Sequence, residues 1–148
     1  MPARRPLLHA TDFSAASRPA FAKALELAKA IGTDVVVAHV LNAALPVMSD
    51  EAISPPTYEG LRRAGRTWAN RQLDGLIGRA RSAGVRATPI VCEGNEAAEI
   101  ARLARSRRAS MIVLGTHGRT GLKRALLGSV AARVLTLAPC PVLTVPAR

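Results

Sequence analysis

Short apolar runs alternate along this chain with longer segments in which apolar residues recur every three or four positions, the periods of strand and helix respectively. Residues 6–10, Pro-Leu-Leu-His-Ala, read as a first strand, and 14–31 as a helix with Ala20, Ala24, Leu27 and Ile31 on one face. Pro19 falls in the first turn of that helix, where its missing N–H is tolerated, and Gly32 stops it. The β-branched run 34–41 is a second strand, and 85–92 a third. Between them lie an irregular connection over 42–56, rich in proline and small residues, and a long helix over 57–83 carrying Leu61, Ala64, Trp68, Leu73, Leu76, Ile77 and Ala80. Asn95 caps a helix reaching about Arg108, 110–114 is a fourth strand, 129–137 a last helix and 141–145 a fifth strand.

Strict alternation of strand and helix predicts an α/β fold, a parallel sheet with helices on both faces joined by right-handed crossovers. Ligands in such sheets sit at the carboxyl ends of the strands, where the winding reverses. The first strand runs out at Ala10-Thr11-Asp12 and the fourth at Gly115, so the two ends are expected to be neighbours across that crevice.

With 148 residues the chain makes one domain, 1–148, and its 49% hydrophobic content excludes a disordered tail. Aromatics are only 3%, so the core is expected to consist of Ala, Val, Leu and Ile. The net charge of +11 raises nucleic acid as a partner. The arginines, however, are spread over nearly every predicted helix, and Phe13, Phe21, Tyr58 and Trp68 are not interleaved with a basic run as stacking platforms for bases would be. A solvated basic surface with no dedicated nucleic-acid role is the reading. Cys92 and Cys140 lie in apolar runs without metal-site or redox spacing and are expected to be buried thiols. No apolar stretch approaches the ~18 residues of a membrane span, and the expected location is cytoplasmic.

The chemistry concentrates in Gly115-Thr116-His117-Gly118-Arg119 and Gly128-Ser129-Val130, a Gly-x2-Gly-x9-Gly-Ser spacing between a strand and a helix start. Glycines let a backbone come close to an anion, and a helix start offers free N–H groups and a positive dipole end. Arg119 adds a fixed charge and Ser129 a hydroxyl. The stretch is not a Walker A loop, because no lysine precedes Ser129, and its glycines lack the Gly-x-Gly-x-x-Gly dinucleotide order.

The blocks His9-Ala10-Thr11-Asp12-Phe13-Ser14, His39-Val40, the glycine motif and Ala138-Pro139-Cys140-Pro141-Val142-Leu143 resemble, in order, those of the universal stress protein family over essentially the whole chain. The resemblance implies a Rossmann-like sheet of order 3-2-1-4-5, a homodimer and, in members with the complete glycine motif, bound ATP. It would put Ala10, Thr11 and Asp12 by the nucleoside and ribose, and Val40 at the adenine edge through its backbone. Gly115, Gly118, Arg119, Gly128, Ser129 and Val130 would then hold the phosphates of ATP, taken here with Mg2+. In that strand order, residues 141–145 lie at an open sheet edge, which invites pairing with a second copy. The chain departs from the family in Ala10, where many members have proline, and in Ser110, where an aspartate often stands.

For Asp12, capping of the next helix competes with ligand contact. His9 and His39 read as packed core residues, while His117 is open between phosphate contact and solvent. Ser14, Ser129 and Cys140 lack an identifiable activating base, and the full set of clamp, metal-binding and water-positioning groups of a phosphotransferase is missing. The expectation is therefore an ATP-binding, nucleotide-dependent stress-response regulator and no efficient enzyme. The alternatives are a slow ATPase or phosphotransferase and a dimeric interaction module without nucleotide.

Overall fold

The computed structural model describes residues 4–42, 54–117 and 127–147. Five strands, β1 (Leu7–Ala10), β2 (Val35–Leu41), β3 (Ala87–Glu93), β4 (Met111–Gly115) and β5 (Val142–Val145), form one parallel sheet in the order 3-2-1-4-5. The crossovers carry α1 (Arg18–Ile31), α2 (Pro55–Ser82), α3 (Glu96–Ser106) and α4 (Ser129–Leu137). The expected α/β fold and strand order are both present.

Side-chain alternation along the strands divides the core between the two faces of the sheet. Leu8, Val36, Ala38, Val40, Ile112 and Leu114 meet Ala97, Ile100, Leu103 and Ala104 of α3 and Ala131 and Val134 of α4. Leu7, Val35 and Val37 meet Phe21 and Ala28 of α1 and Leu73 and Ala80 of α2, while Ala20 and Ala24 press on Val113. Because both faces are covered, β2 is buried from Val35 to Val40, as the uninterrupted apolar run of an interior parallel strand requires.

The buried side of α1 is the expected one at Ala20 and Ala24, with Leu27 partly buried against the core, but it leaves out Ile31 and adds Phe21 and Ala28. A 3-10 turn occupies Ala15–Ser17 and the α-helix starts only at Arg18. Ala20, Ala24 and Ala28 bring the helix close to the sheet and Phe21 is its large buried side chain, whereas Ile31 is 53% exposed. Small residues hold the line of closest approach, and the larger Ile31 falls off it. Gly32 ends α1 in the left-handed region at φ 67°, as anticipated.

Likewise, Pro55 and Pro56 belong to the first turn of α2 and not to the preceding connection, since a helix start needs no donor there. Within α2 the buried residues are Ala69, Leu73 and Ala80, so its second half packs on the sheet. Leu61 and Trp68 stay 50% and 43% exposed on the first half. Asn95 caps α3 by accepting the Ala98 N–H at 3.1 Å, as expected. Cys92 and Cys140 are free but only half-buried, because each lies on an outer strand or its approach. Burial still pushes the Cys92 thiol up to about 11, with Glu99 adding to the effect.

His9 is fully buried at the centre of the sheet, where its Nδ1–H donates to the Val113 carbonyl at 2.9 Å and its ring lies 5.5 Å from that of Phe21. The Nε2 atom has no partner. Burial drives the imidazole from 6.5 down to about 4, against the opposing pull of the Val113 bond and of Asp12. Between those values the unfolded chain binds a proton that the folded chain refuses, so this contribution is complete above pH 6.5 and is lost as pH falls towards 4. The loss amounts to about 3 kcal/mol for this one group. In urea titrations at pH 7 and pH 5 the protein should lose stability on acidification, and His9→Gln, which cannot titrate but keeps a donor, should lose less between the two pH values.

Candidate functional site

Where β1 ends, four residues fold back on themselves. The Thr11 N–H still donates to the Ala38 carbonyl at 2.9 Å, but its side chain turns inward: Oγ1 accepts the Phe13 N–H at 3.0 Å and lies 3.1 Å from Ser17 Oγ. Ser17 Oγ–H is committed to the Ser14 carbonyl at 2.8 Å, so Thr11 supplies the proton between the two hydroxyls. Asp12 Oδ1 accepts the Ser14 N–H at 2.9 Å, an Asx turn. The helix-capping alternative for Asp12 thus becomes a cap of its own turn; neither Ser14 nor Ser17, at the starts of the 3-10 turn and of α1, makes a side-chain cap bond.

The 3-10 turn that follows packs on the end of β4. A Cβ added to Gly115 would lie 3.2 Å from the Ala16 carbonyl oxygen, 3.3 Å from that of His117 and 3.7 Å from Ser17 Cα. Close approach of the 3-10 turn, with no left-handed φ, therefore favours glycine at 115, since a side chain there would crowd two backbone carbonyls. Beyond it the Thr116 N–H donates to the Val145 carbonyl at 3.1 Å, and the Thr116 carbonyl accepts the Gly128 N–H at 2.6 Å. The second bond fixes the start of α4 beside the end of β4.

Gly128 is the N-cap of α4, in extended conformation, and the Ala132 N–H closes the first helical turn on its carbonyl. The Gly128 N–H is taken by Thr116, and the N–H groups of Ser129, Val130 and Ala131, in the first turn of the helix, have no acceptor within the helix itself. Ala131 and Val134 anchor the helix in the core beneath. The 3-10 turn after Ser14 thus lies against Gly115, and the Thr116–Gly128 bond places the start of α4 beside the end of β4. Gly118 and Arg119 lie outside the described residues, as do residues 43–53 of the irregular connection.

Val40 reaches the same end of the sheet. In β2 the carbonyls of Asp34 and Ala38 accept from β1, while that of Leu41 accepts from Gly94 on the other side. Parallel pairing alternates, so the N–H and carbonyl of Val40 point to the β1 side, two residues past the last bond that β1 makes there. The side chain of Val40 is buried among apolar neighbours.

Two polar atoms in this region are buried without a partner: Ser14 Oγ and His117 Nε2, the Nδ1 of His117 being 3.0 Å from Thr116 Oγ1. Ser14 counted in the sequence only as a nucleophile lacking a base, and burial of a lone hydroxyl leaves no signal in sequence. A small cavity of about 150 Å3 lies apart from the glycine motif, between α2 and the ends of β2 and β3. It is lined by Leu41, Tyr58, Leu61, Gly65 and the ion pair of Arg62 with Glu93, and is too small for a whole nucleotide. The Arg66 guanidinium, and after it that of Arg62, holds the Glu93 carboxyl below its usual range. No cluster of three metal-ligating side chains occurs among the described residues.

The chain is 37% identical over 144 residues to universal stress protein MJ0531 of Methanocaldococcus jannaschii, covering 91% of this chain and 78% of that one. With universal stress protein YxiE of Bacillus subtilis it shares 32%, covering 94% and 97%. A solved protein of the universal stress protein family from Burkholderia pseudomallei matches with a TM-score of 0.73 at 31% identity over 97% of both chains. Two further solved structures of like fold hold nucleotides. One is a universal stress protein in complex with cAMP (TM-score 0.70, 23% identity, 99% of both chains) and the other a universal stress protein from Archaeoglobus fulgidus in complex with dAMP (0.67, 22%, 95% and 97%). The family model of the universal stress proteins matches residues 3–146, which takes in every strand and helix described above, and the chain accordingly belongs to the universal stress protein family.

Proposed function

We propose that this protein binds an adenine nucleotide, ATP with Mg2+, across the ends of β1, β2 and β4, and that it acts as a nucleotide-dependent stress-response regulator in the cytoplasm rather than as an efficient enzyme. The observation that carries this reading is the start of α4, whose first N–H groups have no acceptor within the helix and which the Thr116–Gly128 bond holds beside β4. A phosphate group is the ligand such a helix start favours. Asp12 carries the charge of the phosphates themselves and so takes the ribose hydroxyls, with Ala10 and Thr11 beside it. The backbone of Val40 meets the base edge. Gly115 and Gly118 keep side chains out of the way, Arg119 neutralises phosphate charge, and Gly128, Ser129 and Val130 line the helix start. Mg2+ enters on the nucleotide, held by phosphate oxygens and water as this ion commonly is. The bound cAMP and dAMP of two proteins of like fold agree with an adenine ligand.

A regulatory rather than catalytic role fits the chemistry of the side chains. The only thiol at the end of the sheet, Cys92, is held protonated by burial, and Ser14 and Ser129 have no neighbouring base among the described contacts. No helix among the described residues is long and apolar enough to cross a membrane. The homodimer forms through β5. Pro141 and Val145 direct their carbonyls to β4 and its continuation, so Val142 and Thr144 turn their backbone groups to the outer edge. Leu135 and Leu137 of α4, the helix that leads into β5, are 48% and 40% exposed, apolar area available to a partner.

Ser129→Pro tests the site. Proline suits the first position of a helix and Gly128 already has the extended conformation that must precede it, so the substitution removes one N–H and one hydroxyl without disturbing α4. By calorimetry the Kd for Mg-ATP should rise about tenfold or more, because a bond to a charged acceptor is lost. Ser129→Ala separates the hydroxyl from the N–H, and an unchanged Kd in Ser129→Pro would move the phosphates elsewhere. For the dimer, Thr144→Pro removes an outward N–H and leaves the pairing with β4 in place. Light scattering should give twice the chain mass for the parent and the single mass for the variant at micromolar concentration.

A further inference from the structure

Phe13 is held in the left-handed region at φ 64°, a conformation that a bulky side chain seldom adopts. Such strain persists only where surrounding structure imposes it, and it gathers at functional sites. The surroundings here are specific. The Phe13 ring lies 4.5 Å from that of His39, centroid to centroid, and meets the Trp68 ring edge-on at 5.3 Å, while His39 and Trp68 are 6.1 Å apart. His39 is itself fixed, its Nδ1 bonded to the Thr11 carbonyl at 2.8 Å. The three rings thus join β2, the projecting half of α2 and the turn after β1.

We infer that Phe13 is a positioning residue: clamped between His39 and Trp68, it holds the Asp12–Ser14 turn in its strained form and ties that turn to α2. Both flanking amides are consumed by the turn, Phe13 N–H on Thr11 Oγ1 and Ser14 N–H on Asp12 Oδ1. The carboxylate of Asp12 is therefore oriented by the same bonds that the left-handed residue makes possible. The buried Ser14 Oγ, left without a partner, is a second unfavourable feature kept in the same turn, and an ordinary β-to-helix connection would relax both. A glycine at position 13 would reach φ 64° without strain; the ring is kept because its contacts, and not its backbone, set the position.

This inference rests on the proposed nucleotide site for its functional consequence, but its structural half stands without ligand. In the ligand-free protein, Trp68→Ala should speed hydrogen exchange of the Phe13 and Ser14 amides about tenfold while the α3 amides of Ala101 and Leu103 keep their rates, since only a local opening is eased. Trp68→Phe, which restores an aromatic edge, should return both amides to within about twofold of the parent. Phe13→Gly removes the ring while fitting the backbone, and should likewise lose protection at Ser14. For Mg-ATP the Kd should rise about tenfold in Trp68→Ala and recover in Trp68→Phe, a rescue that a general loss of stability would not give. Unchanged exchange at Phe13 and Ser14 in Trp68→Ala overturns the clamp. Faster exchange with an unchanged Kd overturns its link to the site. If the parent itself binds no adenine nucleotide, the proposed function falls and the exchange rates alone decide the clamp.

Discussion

The pairing of β1 with β2 on one side and β4 on the other constrains the rest of the molecule. A strand in that position is dry on both faces, and its crossovers turn in one hand. Moving outward from β1 to β2 and β3 places α1 and α2 on one face; returning to β4 and passing on to β5 places α3 and α4 on the other. The chain that leaves β1 and the chain that leaves β4 therefore part in opposite directions, and a crevice opens between them without any residue being assigned to make it. What the sequence adds is the furnishing of that crevice: a glycine at 115 thin enough for the 3-10 turn to approach, and a threonine at 116 that brings the start of α4 back beside β4.

Burial of β1 also explains why an imidazole at its centre is chemically silent. His9 keeps one nitrogen on a backbone carbonyl and the other without a partner, so its environment selects the neutral ring and no ligand chemistry follows. His39, at the edge of the same core, differs in kind, because its bond to the Thr11 carbonyl and its ring contacts bear directly on the turn at the site. The positive surface charge is built separately. Arg62, Arg66, Arg86 and Arg102 reach carboxylates within 3 Å, yet their side chains are all exposed to solvent, so these pairs shape the surface more than they stabilise the fold.

Strands and most helices were legible because burial on two faces leaves uninterrupted apolar runs and burial on one leaves a stripe; the spans of β2 and α4 follow from such patterns, as does the Asn95 cap. Legibility failed where size and not polarity decides. Ala28 is buried and Ile31 is not, which periodicity alone cannot rank, and Pro55 and Pro56 open a helix although proline usually marks its absence. Gly115 and Gly128 fall at the strand end and helix start that the motif spacing implied, but the contact of Gly115 with a turn far away in sequence could not be read from that spacing. Phe13 escaped notice for the same cause. Nothing in a sequence marks a residue whose conformation is imposed by rings on two other elements.

The Thr116–Gly128 bond has a further consequence for how the sheet and the last helix behave as a unit. Through its N–H Thr116 is joined to the end of β5, through its carbonyl to Gly128, and Gly128 in turn closes the first turn of α4. A displacement of the α4 start is therefore passed by a continuous chain of backbone bonds to the outer edge of the sheet, and a change at that edge is passed back to the helix start by the same chain.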